Sequence, residues 1–343
     1  MAKIDYPAHL EAMWQKAIAP REPNAPTVIS TFAGGGGSLT GYMMAGFHDL
    51  LAVEWDNNAV ETLRLNWPEL DIYHGDIAKL SVEEVLQRTG LKPGELDILD
   101  GSPPCQGFST AGKRILDDPR NQLFREYVRL LRGLRPKVFI MENVSGMVKG
   151  KMKLVFVDIL KELKASGYWV SAKLLNAMYF HVPQSRERMI FIGVRDDLRI
   201  EPTHPRAESK PVTVREAWQT LDVDTTGLGL TPLYSEYWRT TAPGATLGKL
   251  GATKKLDWNR AGYTIVKSEG NGGLYHPSEC RMLALSEFRR LASYPDNYGF
   301  TGARRDFQER IGNSVPPLFM EAIARHVRAE ILDKVETAVP ANG

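Results

Sequence analysis

The sequence predicts an α/β fold: a mostly parallel sheet wrapped by helices, accompanied by a second, smaller and irregular domain. Two observations carry this expectation. Between residue 27 and about residue 195, short apolar runs alternate with amphipathic helical patterns, as βαβ units require. From 200 to about 278 that rhythm gives way to Pro, Gly, Thr and paired aromatics, as in "LYSEYWRTTAPGA", and from about 280 helical periodicity returns. The expected division is an N-terminal extension (1–26), a first domain (27–199), the irregular domain (200–278), a helical segment (279–335) and a tail (336–343).

In chain order, "TVISTFAG", "DLLAVEW", the run ending in "YHGDI", "LDILDGS", "VFIMENV" and "MIFIGVR" read as strands. "NNAVETLRLNW" and "QLFREYVRLLRGL" read as helices between them. Helical patterns resume in "RMLALSEFRRLASY" and "PPLFMEAIARHVRAEILDKV", and the last of these either packs back on the first domain or forms a separate bundle. No internal repeat is visible.

Composition bounds the setting. Two cysteines, Cys105 and Cys280, give no disulfide framework in a chain long enough to bury a core without one, which points to a reducing cytoplasm. The N-terminus has no apolar core of signal-peptide length and no run can span a bilayer, so a soluble protein with no membrane partner is expected. A net charge of +2 is too close to balance to name a polyanion partner. Locally, six basic residues (Arg239, Lys249, Lys254, Lys255, Arg260, Lys267) face one acid, Asp257, in a glycine-bearing stretch suited to phosphate contact. A solvated surface loop is the competing reading.

Chemistry gathers at the expected strand ends. Cys105 follows Pro103 and Pro104, which stop the "LDILDGS" ladder and hold the thiol at a rigid exit, where α/β sheets place ligands; a small buried hydrophobe is the bland alternative. Gly34 to Gly37 make a tight strand-to-helix turn that lets a ligand approach the backbone. Glu54 can accept from ribose hydroxyls while Trp55 lies on an adenine face, and Asp76 can accept from an adenine amino group. No Lys follows the glycines as a phosphate-cradling loop needs. Together these residues favour an adenosyl ligand.

"FAGGGG", "EW", "GDI", "GSPPCQGFS", "MENV", "QSRER" and "GNSVPP" occur in the order and approximate spacing of the DNA (cytosine-5) methyltransferases, and the chain resembles that family over about residues 27–330. The resemblance implies a Rossmann-like methyltransferase domain at 27–199 and a target-recognition domain at 200–278, with S-adenosylmethionine as donor and a flipped cytosine in double-stranded DNA as acceptor. It implies Cys105 as nucleophile toward carbon 6 and Glu142 as the acid near ring nitrogen 3, with a raised pKa. Arg186 and Arg188, alternating on one strand, would lie near the cytosine carbonyl, the acid and the backbone phosphate. Phe32, Gly34, Gly36, Glu54, Trp55, Asp76, Ile77, Pro104, Leu123, Asn313 and Ser314 match the cofactor side. Ser30 stands where an Asp is usual, and Leu39 where a Ser is common, with Ser38 one place earlier. Asn313 has a second reading as a cap of the helix near Pro316. Gln106 and Ser109 are candidates to fill the space left by a flipped base or to hold its phosphate. In the basic stretch, Lys249, Lys254 and Lys255 are expected on phosphates and Arg239 and Arg260 on base edges. No metal is expected. A monomer on DNA is implied, with a companion restriction endonuclease as a separate protein.

Two other readings share these motifs: a tRNA cytosine-5 methyltransferase, whose members carry Thr where this chain has Ser109, and a catalytically inactive DNA-binding relative. The presence of Cys105, Glu142 and both arginines argues against the second. A nicotinamide-dependent dehydrogenase would share the glycine turn and Glu54 but leaves "PPCQ" and "QSRER" unexplained.

Overall fold

The architecture was obtained as a computed structural model, and it describes residues 4–104, 122–148, 152–248, 253–267 and 273–338. Its first part runs α1 (Tyr6–Ile18), β1 (Thr27–Thr31), α2 (Gly37–Met44), β2 (His48–Glu54), α3 (Asn57–Asn66), β3 (Ile72–His74), α4 (Val82–Thr89) and β4 (Ile98–Gly101). After these come α5 (Gln122–Leu134), β5 (Val138–Val144), α6 (Met152–Ala165), β6 (Tyr168–Asn176), β7 (Gln184–Ser185) and β8 (Glu187–Arg195). Seven strands form one sheet in the order β3-β2-β1-β4-β5-β8-β6. Pairings from β3 to β5 are parallel, and β8 runs antiparallel to both β5 and β6. Strand order reverses between β1 and β4, which opens a crevice beyond their carboxyl ends.

The central strands are buried on both faces, which is why each carries a short apolar run rather than a strict apolar–polar alternation. In β5, Val138 and Ile140 enter one core while Phe139 and Met141 enter the other. The second core is closed by α5, whose Phe124, Tyr127, Val128, Leu131 and Leu134 recur at helical spacing. The expected strands and these two helices are present.

Several elements were not foreseen or differ. The N-terminal stretch, expected only as an extension, folds as α1 and places Tyr6, Leu10, Met13, Trp14 and Ala17 in the first core. Strand β6 is an edge strand in which only Tyr168 and Leu175 are buried, so it lacks a buried apolar run. The helix in "RMLALSEFRRLASY" is short, α9 (Leu285–Leu291), and an unforeseen α10 (Arg304–Asn313) follows it. The last pattern resolves into α11 (Pro317–Val327), a π turn at Arg328–Leu332 and α12 (Asp333–Ala338). Helix α11 packs on α2 so closely that a Cβ at Gly41 would stand 2.5 Å from the Pro317 carbonyl. Between β8 and α9 lie the short α7 (Val214–Ala217) and α8 (Pro232–Thr240) with two-residue strands β9 (Lys254–Lys255), β10 (Gly262–Tyr263) and β11 (Leu274–Tyr275).

Candidate active site

The glycine turn leaves β1 through Phe32, at φ 56°, and enters α2 through Gly36, at φ 80°, conformations that favour glycine and strain a side chain. Glu54, buried at the end of β2, accepts from Gly34 N at 2.7 Å with one oxygen and from Trp55 N and Asp56 N at 2.8 and 2.9 Å with the other. Trp55 then projects into solvent, 76% exposed. An indole in the core would be buried, so the position suits a stacking platform. Asp76 is exposed beyond β3 and caps the short turn Ile77–Lys79 through Ala78 N at 3.0 Å, with Ile77 buried beneath it.

Not all the room around the four glycines is open. A Cβ on Gly36 would overlap the Tyr298 hydroxyl, one on Gly37 would overlap Ser314 Oγ, and one on Gly35 would stand 3.1 Å from Arg310 Cβ. Only at Gly34 is nothing nearer than 4.0 Å. The C-terminal segment therefore grips the turn from outside, with Tyr298 Oη donating to Gly35 O at 2.9 Å and Tyr294 paired with Ser314 at 2.7 Å. Sequence reading assigned this glycine run to ligand approach and had no signal for Tyr298, which is 263 positions away.

Ser30 donates its hydroxyl to Asp49 on β2 and lies opposite Asp100 on β4 in the parallel register. Buried carboxylates thus flank Ser30 from both neighbouring strands. Burial pushes Asp49 up to about 7, although the Ser30 hydroxyl pulls the other way. Burial also raises Asp100 well above the carboxylate range; Tyr42 Oη donates to it at 3.0 Å and Ser38 hydrogen-bonds to it from α2.

At the exit of β4, Pro103 is buried and Pro104 exposed. Asn143 Nδ2 donates to Pro103 O at 3.2 Å, bracing the residues that precede Cys105. Sequence reading named its neighbour Glu142 and passed over Asn143. Glu142 Oε1 pairs with Arg188 Nε at 2.6 Å, both side chains nearly buried. Leu123, at the start of α5, is half-buried against the second core. Cys105, Gln106, Ser109 and Lys249 lie outside the described residues.

Arg186 corrects an expectation. It does not alternate with Arg188 on one strand but sits at the break between β7 and β8, 1% exposed. Its guanidinium donates to Ile265 O at 3.0 Å and Gly312 O at 2.7 Å, tying "QSRER" to the residue-265 segment and to the end of α10. Burial, then the nearby Arg188, lowers its pKa while Glu142 opposes them, so the three groups share one electrostatic neighbourhood. Asn313 is the exposed last residue of α10 and does not cap α11, whose N-cap is Pro316.

Lys255 is a second correction. A flexible solvent lysine was expected, but it is 6% exposed, with Nζ 3.7 Å from the Trp238 ring centre and donating to Trp238 O and Thr241 O at 3.2 and 3.1 Å. It neutralises carbonyls at the end of α8, a favourable place for a cation. Lys254 bonds Thr246 and lies over Tyr263 at 5.4 Å. Arg239 is exposed in the last turn of α8, and Arg260 is exposed with only a long contact, 3.6 Å, to Asp257.

The profile of the C-5 cytosine-specific DNA methylase family matches residues 26–227 and 233–329. The chain belongs to that family. It is a DNA cytosine-5 methyltransferase. This methyltransferase is 32% identical over 322 residues, 88% of its chain and 86% of the relative's, to Type II methyltransferase M1.HphI of Haemophilus parahaemolyticus. It is 31% identical to Type II methyltransferase M.PspPI of a Psychrobacter strain, over 94% of its own chain and 83% of the other. Among solved structures, a candidate DNA modification methyltransferase encoded within an E. coli prophage aligns with TM-score 0.76 and 25% identity, covering 90% of this chain and all of the other. The Dnmt2 methyltransferase of S. pombe, at 17% identity and TM-score 0.66 over 90% and 99% of the two chains, shares the fold. Among the methyltransferase's described residues no helix is long and apolar enough to cross a membrane.

Proposed function

We propose that the chain methylates carbon 5 of a cytosine flipped out of a specific double-stranded DNA sequence, with S-adenosylmethionine as donor. The observation that supports this most is the bracket at β5: Asn143 braces the exit that leads to Cys105, and the adjacent Glu142 is paired with Arg188. Glu54, Gly34 and the solvent-facing Trp55 fit an adenosine moiety, since a carboxylate and an open indole stand side by side next to the one glycine of the turn, Gly34, that has open space beside it. Asp76, Pro104, Leu123, Asn313 and Ser314 complete that side of the site. The donor supplies an electrophilic methyl group.

The chain's own residues do the rest. Cytosine carbon 5 is a poor nucleophile, so the Cys105 thiolate adds to carbon 6 and the ring becomes an enamine. Glu142 supplies a proton toward ring nitrogen 3, where charge accumulates, and Arg188 orients its carboxyl. Arg186 acts at one remove by fixing the strand end that carries Arg188. Once carbon 5 has taken the methyl and S-adenosylhomocysteine is released, the carbon 5 proton passes to water, the proton on nitrogen 3 returns to Glu142 and the thiolate is expelled, which restores the aromatic ring and free Cys105. A cytosine stacked in a duplex cannot reach these groups, so flipping is part of the reaction.

Residues 27–199 with 279–335 would carry this chemistry, and 200–278, with Arg239 and Arg260, would read the target. The Type II naming of its relatives supports a companion endonuclease as a separate protein. The test is incubation of the purified chain with tritiated donor and either duplex DNA or total tRNA. Label in DNA that disappears in Cys105→Ala is expected; label confined to tRNA, or none in either, overturns the proposal.

A further inference from the structure

We infer that the Arg310–Asp56 ion pair is a latch that holds Trp55 in place as the adenine platform, an inference that rests on the cofactor site proposed above. Trp55 is 76% exposed and has no ring or cation partner among the described residues, so its direction depends heavily on its backbone and immediate neighbours. Those neighbours are tied twice. Glu54 Oε1 takes the amides of both Trp55 and Asp56. Asp56 Oδ1 in turn caps α3 through Ala59 N at 2.9 Å and pairs with Arg310 NH1 at 3.0 Å.

Arg310 reaches this point from α10 with little freedom. Its side chain is 10% exposed, its stem lies against Gly35, and its next acidic neighbour, Glu309, stands at 4.0 Å. One residue therefore contacts the glycine turn with its stem and the segment after β2 with its head. These are the two walls of the adenosine pocket. Because the Asp56 side chain is 37% exposed, the pair adds little to global stability, and its effect falls on local placement. Arg310 is thus a positioning residue that acts through Asp56 on Trp55.

The test is a double-mutant cycle read by titration calorimetry with S-adenosylhomocysteine on the full chain. Arg310→Gln is expected to weaken binding about ten-fold, the scale on which members of one network couple. In a Trp55→Ala background the same change should have an effect of less than about two-fold, because the platform it positions is gone. Asp56→Asn, which keeps the α3 cap but removes the charge, should match Arg310→Gln, and Arg310→Lys should recover most of the affinity. Equal losses with and without Trp55, as direct contact between Arg310 and the ligand would give, overturn the latch, as does unchanged binding in Arg310→Gln. Absence of binding by the unsubstituted chain overturns the latch and the cofactor reading together.

Discussion

Asn143 donates from Nδ2 to the carbonyl of Pro103 at 3.2 Å, so β5 braces the exit of β4 from the position next to the Glu142 carboxylate. One strand end thereby fixes both the candidate acid and the approach to the candidate nucleophile. Thr31 Oγ1 adds a second brace from β1, donating to Asp100 O at 2.7 Å. Asn143→Ala should therefore slow methyl transfer by about ten- to a hundred-fold, the scale of a misplacement near 1 Å. Single-turnover kinetics with duplex DNA would show it. Affinity for S-adenosylhomocysteine should fall by less than the rate, because of the cofactor-side residues only Pro104 adjoins the braced exit, whereas Glu54 and Trp55 lie at the end of β2.

Cys105→Ala should abolish methylation and retain or tighten cofactor-dependent DNA binding, since the smaller side chain leaves room for a flipped base. Cys280→Ser should leave turnover within a few-fold. Cys280 is half-buried in the segment before α9, outside every matched motif. Transfer above background by a clean Cys105→Ala protein would remove the nucleophile assignment.

Trp55→Ala should weaken S-adenosylmethionine binding by roughly 1–3 kcal/mol, the scale of one aromatic stacking platform. The side chain's exposure makes the measurement decisive, because removing an indole open to water leaves no cavity in the core. Calorimetry gives the affinity and a melting curve the stability. A loss of binding with little change in melting temperature is the expected pair.

How far the sequence can be read follows from where each residue gets its partners. Strands β1, β2, β4, β5 and β8 were legible because burial on both faces gives each a short apolar run, with the polar residues gathered mainly toward the strand ends. Strand β6 was not, since an edge strand with exposed Trp169, Lys173 and Leu174 has no such run. Helix α1 carries its signal in the helical spacing of Tyr6, Leu10, Met13, Trp14 and Ala17, a pattern distinct from the targeting features sought at an N-terminus. In the site, Glu54, Trp55, Asp76 and Glu142 were legible as chemical residues at strand ends. Arg186 and Tyr298 act on carbonyls supplied by distant segments, Ile265 and Gly312 for one and Gly35 for the other, and no local pattern announces such contacts.

Asp49 should impose a pH dependence on stability. Its folded pKa, pushed up to about 7 by burial, lies above the ordinary value of 3.8, so the native state holds a proton that the unfolded chain has released between those values. Its contribution is complete below pH 3.8 and lost as pH rises through 7. Above that, folding with an ionised Asp49 costs on the order of 4 kcal/mol relative to the protonated group. The melting temperature of the unsubstituted chain should fall between pH 5.5 and 8 by more than that of Asp49→Asn, which has no proton to lose. Parallel pH profiles for the two proteins would remove Asp49 as the source.

The basic stretch divides by burial into residues that can meet DNA and one that cannot. Lys254 keeps donors free beyond its bond to Thr246, and Arg239 and Arg260 are exposed. Lys255 spends its ammonium on Trp238 O and Thr241 O, and burial lowers its pKa. Lys254→Ala should weaken binding to cognate and scrambled duplexes by similar factors and flatten the salt slope by about one unit, as loss of one phosphate contact does. Arg260→Ala or Arg239→Ala should instead relax preference at one position of the site with little change in slope. Lys255→Ala should leave the slope alone and lower stability by about 1–3 kcal/mol, because two carbonyls at the end of α8 lose their donor. Binding titrations at several salt concentrations, paired with melting curves, separate the three classes. A flattened slope in Lys255→Ala with unchanged melting would show that its ammonium leaves those carbonyls for the phosphate backbone.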